Sequence, residues 1–560
     1  MTASAVFAAA GTYLLYFVMP LALFYIGYCV FLHPLAQYPG PPLARFTEAY
    51  GGYLALRKTI HTSTYQSFLK YGIFGVMALY SQPTDDVIGP VVRVAPNRLV
   101  FNSIAALQGK LSPVTPAIEK CLQPGIDIYL NPKLRKGTPY HYQPLSTNQR
   151  GVQNTIDKDV HKRKRKLIGS VLNERSMRIF ESTMSTRVEK FLQLLYGASQ
   201  SLKPVNIANL SQNLAMDIAA SLGFGYCLHL QTNDTYRFIT ETLIFWMRLI
   251  NVNMAFPILR YVSRTIMVLQ VKKTTKFGMA VKKIIQARMA QGRDAQHDFY
   301  SVATEVNADS ELFRSEMWAE ATAFLAAGGL STATSISATF FYLSRYPDCY
   351  RTLAHEIRTT FACSDDIKAG PQLNGCKYLR ACIEEALRCA APVLLPSWRE
   401  QDPADQGLFI VDGHVVPRGT QVAVPIYSLL HNQDIFEDPF AYRPERWLEP
   451  DKNSDTEDKK SSRVAMRKAF IPFMIGDRNC AGQAMAWMEL SLVVARVLWY
   501  FDFEKAPGKL SKLGEKLRLE AGREVPEYEI SDIFVAEHDG PNLIFREREG
   551  LAKELETKFQ

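Results

Sequence analysis

From Val6 to Leu32 nearly every residue is apolar or aromatic, and no Asp, Glu, Lys or Arg precedes Arg45. A helix needs about 20 apolar residues to cross a hydrocarbon core of about 30 Å, so this run is long enough to span with some tilt. Residues 6–32 are therefore expected to be a single transmembrane anchor, with Pro20 a place for a kink. A cleaved signal peptide fits less well: no basic region comes first, and the run is too long. Arg45, Arg57 and Lys58 follow it, so the body should face the cytosol. The sequons at Asn209 and Asn233 would then stay unmodified. Next comes His33–Pro42, where Pro39, Pro41 and Pro42 surround Gly40. Such a segment cannot continue a helix, and residues 33–44 read as a stiff hinge before a body over 45–560.

Within the body, apolar positions recurring with a period near 3.6 predict helices over 177–196, 315–344, 346–361, 376–388 and 481–500. The second of these is rich in small residues, broken by Gly328-Gly329 and closed by Pro347. Residues 408–426 alternate instead and carry Asp412-Gly413 and Pro417-Arg418-Gly419, which predicts short hairpins. Strand-like stretches continue to Arg546. The fold expected is mainly α with one small β portion late in the chain. Residues 451–462 read as a solvated loop, and 551–560 as a frayed surface helix. No second long apolar run and no repeat is visible.

Composition narrows the classes. Of 560 residues, 47% are hydrophobic and 21% charged, which excludes a disordered or fibrous chain. A net charge of +9 is mild for this length and does not argue for nucleic acid. Nine cysteines without any C-x-x-C spacing exclude a disulfide scaffold, a zinc ribbon and a redox pair. There is no phosphate-binding G-x-x-x-x-G-K, no G-x-S-x-G and no H-E-x-x-H.

One cysteine stands apart. Phe473, Gly476, Arg478, Cys480 and Gly482 lie just before the helix expected from Ala481. Helix-start N–H groups and Arg478 would favour a thiolate. Gly476 permits a tight turn, and Gly482 permits a flat ligand to approach the backbone. That combination suits axial ligation of haem iron by Cys480. A lone buried cysteine ahead of a helix is the alternative, and the ten-residue spacing speaks against it.

The pattern F-x-x-G-x-R-x-C-x-G resembles the haem-binding signature of the cytochrome P450 monooxygenases. Glu385-Ala-Leu-Arg388 resembles that family's E-x-x-R helix, and Arg443-Pro-Glu-Arg446-Trp its P-E-R-F segment. The resemblance implies a buried ion network of Glu385, Arg388 and Arg446 behind the haem. Residues 326–334 resemble the distal oxygen-activation helix. The N-terminal run with His33-Pro-Leu-Ala and Pro39-Gly-Pro-Pro42 resembles membrane-bound members from filamentous fungi. The likeness implies a P450-like haem domain with Cys480 as metal ligand, and with Arg165, Arg399 and Arg478 pairing the propionates. Phe473, Gly476 and Gly482 would shape the cysteine loop. The run 161–166, His-Lys-Arg-Lys-Arg-Lys, has three readings: nucleic-acid contact, a solvated helix face, or, by the resemblance, Arg165 toward haem with lysines on a reductase-docking face.

The distal stretch departs from the family pattern. Leu330 stands where an acid is usual and Ser331 where the first threonine is. Ser331 and Thr332 are the expected proton-delivery residues, and an acid restored at Leu330 is expected to be tolerated or to improve coupling. The implied function is insertion of one oxygen atom of O2 into an apolar organic substrate, in fungal secondary metabolite biosynthesis. Electrons would come from an NADPH-dependent flavoprotein reductase, since only about 80 residues follow Cys480, few for flavin and nicotinamide domains. The endoplasmic reticulum is the expected membrane. A haem-thiolate rearrangement, dehydration or coupling, and a non-enzymatic haem-binding membrane protein, are the alternatives. Residues 73–89 and 109–126 interrupt otherwise family-like text and read as translated introns, with ordinary loop insertion as the alternative.

Overall fold

A computed structural model describes residues 14–72, 91–108, 128–142, 150–292, 295–303, 319–449, 456–520 and 522–559. The two interrupting segments expected to be introns lie outside the described residues. The chain forms two compact units: residues 1–137 with 396–428, and residues 138–395 with 429–560.

In the first unit, Leu14–Leu32 is helical throughout, with π-helical turns on either side of an α portion, Met19–Gly27. Pro20 is the second residue of that α portion, directly after the π-helical turn Leu14–Val18. Leu21, Leu23, Phe24, Phe31 and Leu32 are exposed, the pattern of an apolar helix with no core to bury it. The proline-rich segment after it is packed. Arg93 is buried and its guanidinium donates to the carbonyls of Leu35, Pro96 and Arg45. Its N–H also donates to Pro39 at 2.8 Å. A side chain at position 40 would meet the Arg93 carbonyl at 2.1 Å, so only glycine fits there.

The same unit holds a five-stranded sheet in the order Val91–Ala95, Arg98–Phe101, Gln421–Ala423, Arg399–Gln401, Leu134–Lys136. All pairings are antiparallel except that of Arg98–Phe101 with Gln421–Ala423. The β structure thus begins near residue 91, not late in the chain. Its strands come from segments some 300 residues apart, a pairing without local signal. The predicted hairpin is present: Ile410–Val411 pairs with His414–Val415. Asp412 and Gly413 both take positive φ, as a type I′ turn demands.

The second unit is helical. Its principal helices are α1 (Lys158–Val171), α2 (Glu174–Ser199), α3 (Ile207–Phe224), α4 (Ser331–Arg345), α5 (Lys377–Cys389), α6 (Gln483–Tyr500) and, at the C-terminus, α7 (Ala552–Phe559). Side chains of Asp157, Asn173 and Asn206 cap the first three by accepting an N–H of the first turn. Residues 332–343 of α4 are all buried. With the preceding turn, Ala319–Arg345 is long and apolar enough to cross a membrane, but 78% of its apolar window lies inside the protein. It is a core helix, and a second long apolar run where none was expected.

Three expectations need correction. Gly328-Gly329 does not break this helix; it lies in a π-helical turn, Leu325–Leu330, that runs straight into α4. The C-terminal helix is docked rather than frayed, with Leu555 and Phe559 buried and Gln193 donating to the Phe559 carbonyl at 2.9 Å. The loop expected over 451–462 becomes helix from Glu457, capped by Thr456; residues 451–455 are outside the described set.

Candidate active site

The cysteine loop is built by backbone geometry. Met474 and Gly476 take positive φ, and Gly476–Arg478 forms a 3-10 turn. The loop closes with Cys480 N–H donating to the Phe473 carbonyl at 2.7 Å and Asn479 N–H to Gly476 at 3.1 Å. Gly482 then opens α6. Burial pushes the Cys480 thiol up; the Gly482 N–H and the Arg165 charge pull it back toward thiolate.

Two arginines hold the loop to the N-terminal part of the unit. Arg165 on α1 makes a two-pronged contact to Asn479, reaching its carbonyl at 2.9 Å and its Oδ1 at 2.6 Å. Arg478 donates to the Thr155 and Ile156 carbonyls at 2.6 and 3.2 Å. Within 161–166, His161 is buried and Lys164 turns in to pair with Glu320 at 3.3 Å, while Lys162, Arg163 and Lys166 are exposed. Arg399 belongs to the other unit, where its guanidinium reaches the Ser397 and Trp398 carbonyls and faces the Tyr129 ring.

The expected ion network is assembled. Glu385 is fully buried and accepts from Arg388 at 2.8 and 2.9 Å and from Arg446 at 3.0 Å. Two further donors complete it: the Arg443 N–H at 3.0 Å and the Trp447 indole at 2.8 Å. Burial alone would raise the Glu385 carboxyl; Arg388 and Arg446 outweigh it and hold the group below its usual range. Arg388 is satisfied further by the carbonyls of Leu430, Pro439 and Ala441. A buried charge cluster of this kind contributes geometry more than stability.

Trp447 carries that geometry toward the cysteine. Its ring packs on Phe470 with centroids 4.7 Å apart, three residues before Phe473. A second brace runs alongside. Phe473 packs on Trp487, which lies under the Arg380 guanidinium; Arg380 pairs with Glu384, and Glu384 with Arg467. Arg467 donates to the Trp447 carbonyl at 2.6 Å, joining the two. Sequence reading missed Asn479, Trp447 and Trp487. Trp447 closed a recognised segment and Asn479 lay at a variable position of the cysteine pattern, both without an assigned role; Trp487 had no signal.

Opposite elements supply the distal residues. Gly329 lets α4's turn approach α3, because a side chain there would meet Met216 Sδ at 2.3 Å. A side chain at Gly328 would lie 3.3 Å from Ala219 and 4.0 Å from the tip of Met485 on α6. The Ser331 hydroxyl donates back to the Ala327 carbonyl, and Thr332 is buried. Leu330 is only 4% exposed. It points into the core, so an acid at this position would be a buried, unpaired carboxylate. The expectation that Leu330→Asp is tolerated is thereby withdrawn.

These residues fit a haem. Cys480 has an accessible surface, and Ala327, Gly328 and Ser331 are accessible positions next to a buried helix. Among the described residues no three His, Cys, Asp or Glu side chains gather as a metal site. A metal at Cys480 would have to bring most of its ligands with it, as haem iron does. A side chain at Gly482 would begin 4.0 Å from the Cys480 sulfur.

Comparison with known proteins agrees. A family model described as Cytochrome P450 matches residues 132–524. The cytochrome P450 monooxygenase poxM of Penicillium oxalicum is 31% identical, over 93% of this chain and 91% of that one. The cytochrome P450 monooxygenase apf7 of Gibberella fujikuroi is 28% identical over 93% and 95%. Among solved structures, a cytochrome P450 (CYP102L1) superposes with a TM-score of 0.60 at 18% identity, covering 82% of this chain and 91% of that one.

Proposed function

We propose, for a chain that belongs to the cytochrome P450 family, that Cys480 is the residue supplying the axial thiolate of its haem. Family membership makes the chain a monooxygenase that binds haem through a cysteine thiolate and works with a redox partner on an organic substrate. The observation that carries the assignment is the Cys480 loop, whose sulfur faces the Gly482 N–H under the charge of Arg165.

Bound haem supplies dioxygen activation, with the thiolate favouring O–O cleavage. The chain's own residues do the rest. The Phe473 carbonyl and the two aromatic braces fix the sulfur. Arg165, Arg478 and Arg399 are the candidates for the propionates, since guanidinium forks suit carboxylates. Ser331 offers a hydroxyl on the accessible face of the distal turn and, with Thr332, moves protons there. The apolar wall at Leu330 leaves hydroxyls, not an acid, to do so.

The substrate is read as an apolar organic molecule receiving one oxygen atom of O2, in secondary metabolism of a filamentous fungus. The fungal sources of the relatives support that setting. The exposed apolar helix Tyr16–Leu32 is read as the membrane anchor of a cytosol-facing enzyme in the endoplasmic reticulum. Exposed Lys162, Arg163 and Lys166 are read as part of the face that meets an acidic NADPH-dependent flavoprotein reductase. The test is turnover of the purified chain with reductase under isotopically labelled dioxygen. One labelled oxygen in the product supports the reading, and product formed without label rejects oxygen insertion.

A further inference from the structure

On the second unit, a cleft of about 330 Å³ opens between α2, the loop 227–232 and α7, a volume at the low end of small-molecule sites. None of the segments that build the cysteine loop lines it. Its walls are polar and carry three cations, Arg187, Lys190 and Lys558, against Glu189 and Asp217. Two of the cations are engaged: Lys190 donates to Gln193 at 2.7 Å, and Lys558 pairs with Asp365 at 2.8 Å.

Arg187 is not engaged. Its guanidinium has no hydrogen bond or ion pair among the described residues, and its Nε is buried without an acceptor. Asp217 makes no hydrogen bond to it: its carboxylate accepts the N–H groups of Leu230 and Gln231 at 2.9 and 3.3 Å, and the Arg187 charge reaches it only through space, pulling the carboxyl down against its burial. Gln231 is the second open group. It is 6% exposed, its amide nitrogen donates to the Arg187 carbonyl at 3.3 Å, and its Oε1 is buried with no donor. Turning the amide over would set oxygen against oxygen, so Oε1 stays the open acceptor of a side chain that lines the cleft. A buried polar atom left without a partner is costly.

The cleft therefore presents an unused cationic fork next to an unused acceptor. An anion satisfies the first, and a hydroxyl on the same small molecule satisfies the second. We propose that this cleft binds a small hydroxylated anion, such as a polyol phosphate, with its anionic group on Arg187 and a hydroxyl donating to Gln231 Oε1. The apolar substrate of the oxidation site has no match here. α3 links the two regions: it brings Asp217 into the cleft while Met216 and Ala219 pack on the distal turn.

The test uses the haem-loaded full chain in detergent, titrated calorimetrically at constant ionic strength with glycerol 3-phosphate, inorganic phosphate and glycerol. Saturable binding of glycerol 3-phosphate is expected, tighter than phosphate, with none for glycerol. Arg187→Gln should weaken it about tenfold or more, the loss of a charge-assisted pair. Gln231→Leu should bring glycerol 3-phosphate down to the affinity of phosphate while leaving phosphate unchanged. No saturable binding, or equal binding by Arg187→Gln, overturns the proposal; an unchanged preference in Gln231→Leu overturns the hydroxyl contact. An unchanged reduced CO spectrum in both variants certifies their fold. Should Arg187→Gln fail that check, the wild-type chain decides: glycerol 3-phosphate must protect Arg187 from phenylglyoxal, mapped by peptide mass, and absence of protection refutes the site.

Discussion

The hydroxyl of Thr334 on α4 lies 3.1 Å from Nδ1 of His538, and 3.0 Å from the Leu330 carbonyl one turn back. A hydroxyl has one proton to give. Given to Leu330, it leaves the oxygen to accept from an Nδ1–H, so the histidine is the Nδ1 tautomer. Its buried Nε2 then keeps a lone pair without a donor, a smaller penalty than an orphaned N–H. The strand residue His538 thus clamps the helix just after the distal π turn.

That clamp predicts acid sensitivity. Burial pushes His538 down to about 4, against the Ala536 carbonyl, Asp539 and Glu537, which lift it. In the unfolded chain a histidine titrates near 6.5. Between those values the unfolded state holds more protons, so stability falls as pH falls through the window. The full contribution is roughly 3 kcal/mol, present above about pH 6.5 and gone below the folded value. Denaturant melts of wild type and His538→Leu across this window test it: the wild type should lose stability more steeply, and parallel curves would refute the assignment.

His538 also marks what the sequence could not reveal. Cys480 was legible because its helpers are neighbours: Phe473, Gly476 and Gly482 set a loop by spacing alone. Glu385 and Arg388 were legible because they are one turn apart on α5. Trp447 on Glu385, Asn479 under Arg165, and His538 on Thr334 are joined only by tertiary packing, and no periodicity reports it. The five-stranded sheet escaped for the same reason. The misreading of Gly328-Gly329 is different in kind. Glycine is a helix breaker by propensity, but here it is required by how closely α3 approaches, and tertiary contact overrides the local preference.

Cys480→Ser should abolish the thiolate-type reduced CO spectrum and turnover together, since a hydroxyl is a poor iron ligand. The backbone bond from residue 480 to Phe473 does not need the sulfur, so the apo-fold should survive. Near-native circular dichroism with the spectrum lost is the expected pair of readings. A wild-type spectrum in the variant would remove Cys480 from the site.

The Glu385 cluster predicts graded losses. Glu385→Gln leaves Arg388 and Arg446 buried without a counter-charge, and should cost about 3–5 kcal/mol and most haem retention. Trp447→Phe keeps the ring on Phe470 but leaves one Glu385 lone pair unmet, so about 1–3 kcal/mol is expected. Chemical denaturation and haem content per chain separate them. Equal damage from both variants would refute the grading, since losing one indole hydrogen bond would then cost as much as losing the counter-charge.

Ser331 and Leu330 sit side by side but face different surroundings, and their variants should fail differently. Ser331 is partly accessible and its hydroxyl returns to Ala327. Ser331→Ala loses no core packing, so the melting temperature and CO spectrum should hold. A positioned proton donor is worth about 10²–10⁴-fold, so product per NADPH should fall while peroxide release rises. Leu330→Asp is the converse. It sets a carboxylate in the core against α3, and a buried unpaired charge or its forced protonation should cost several kcal/mol, on the order of 3. Stability should drop before coupling is altered at all. Measuring melting temperature and coupling on both variants decides it. Unchanged coupling in Ser331→Ala removes that hydroxyl from proton delivery, and a fully stable Leu330→Asp contradicts the burial of that side chain.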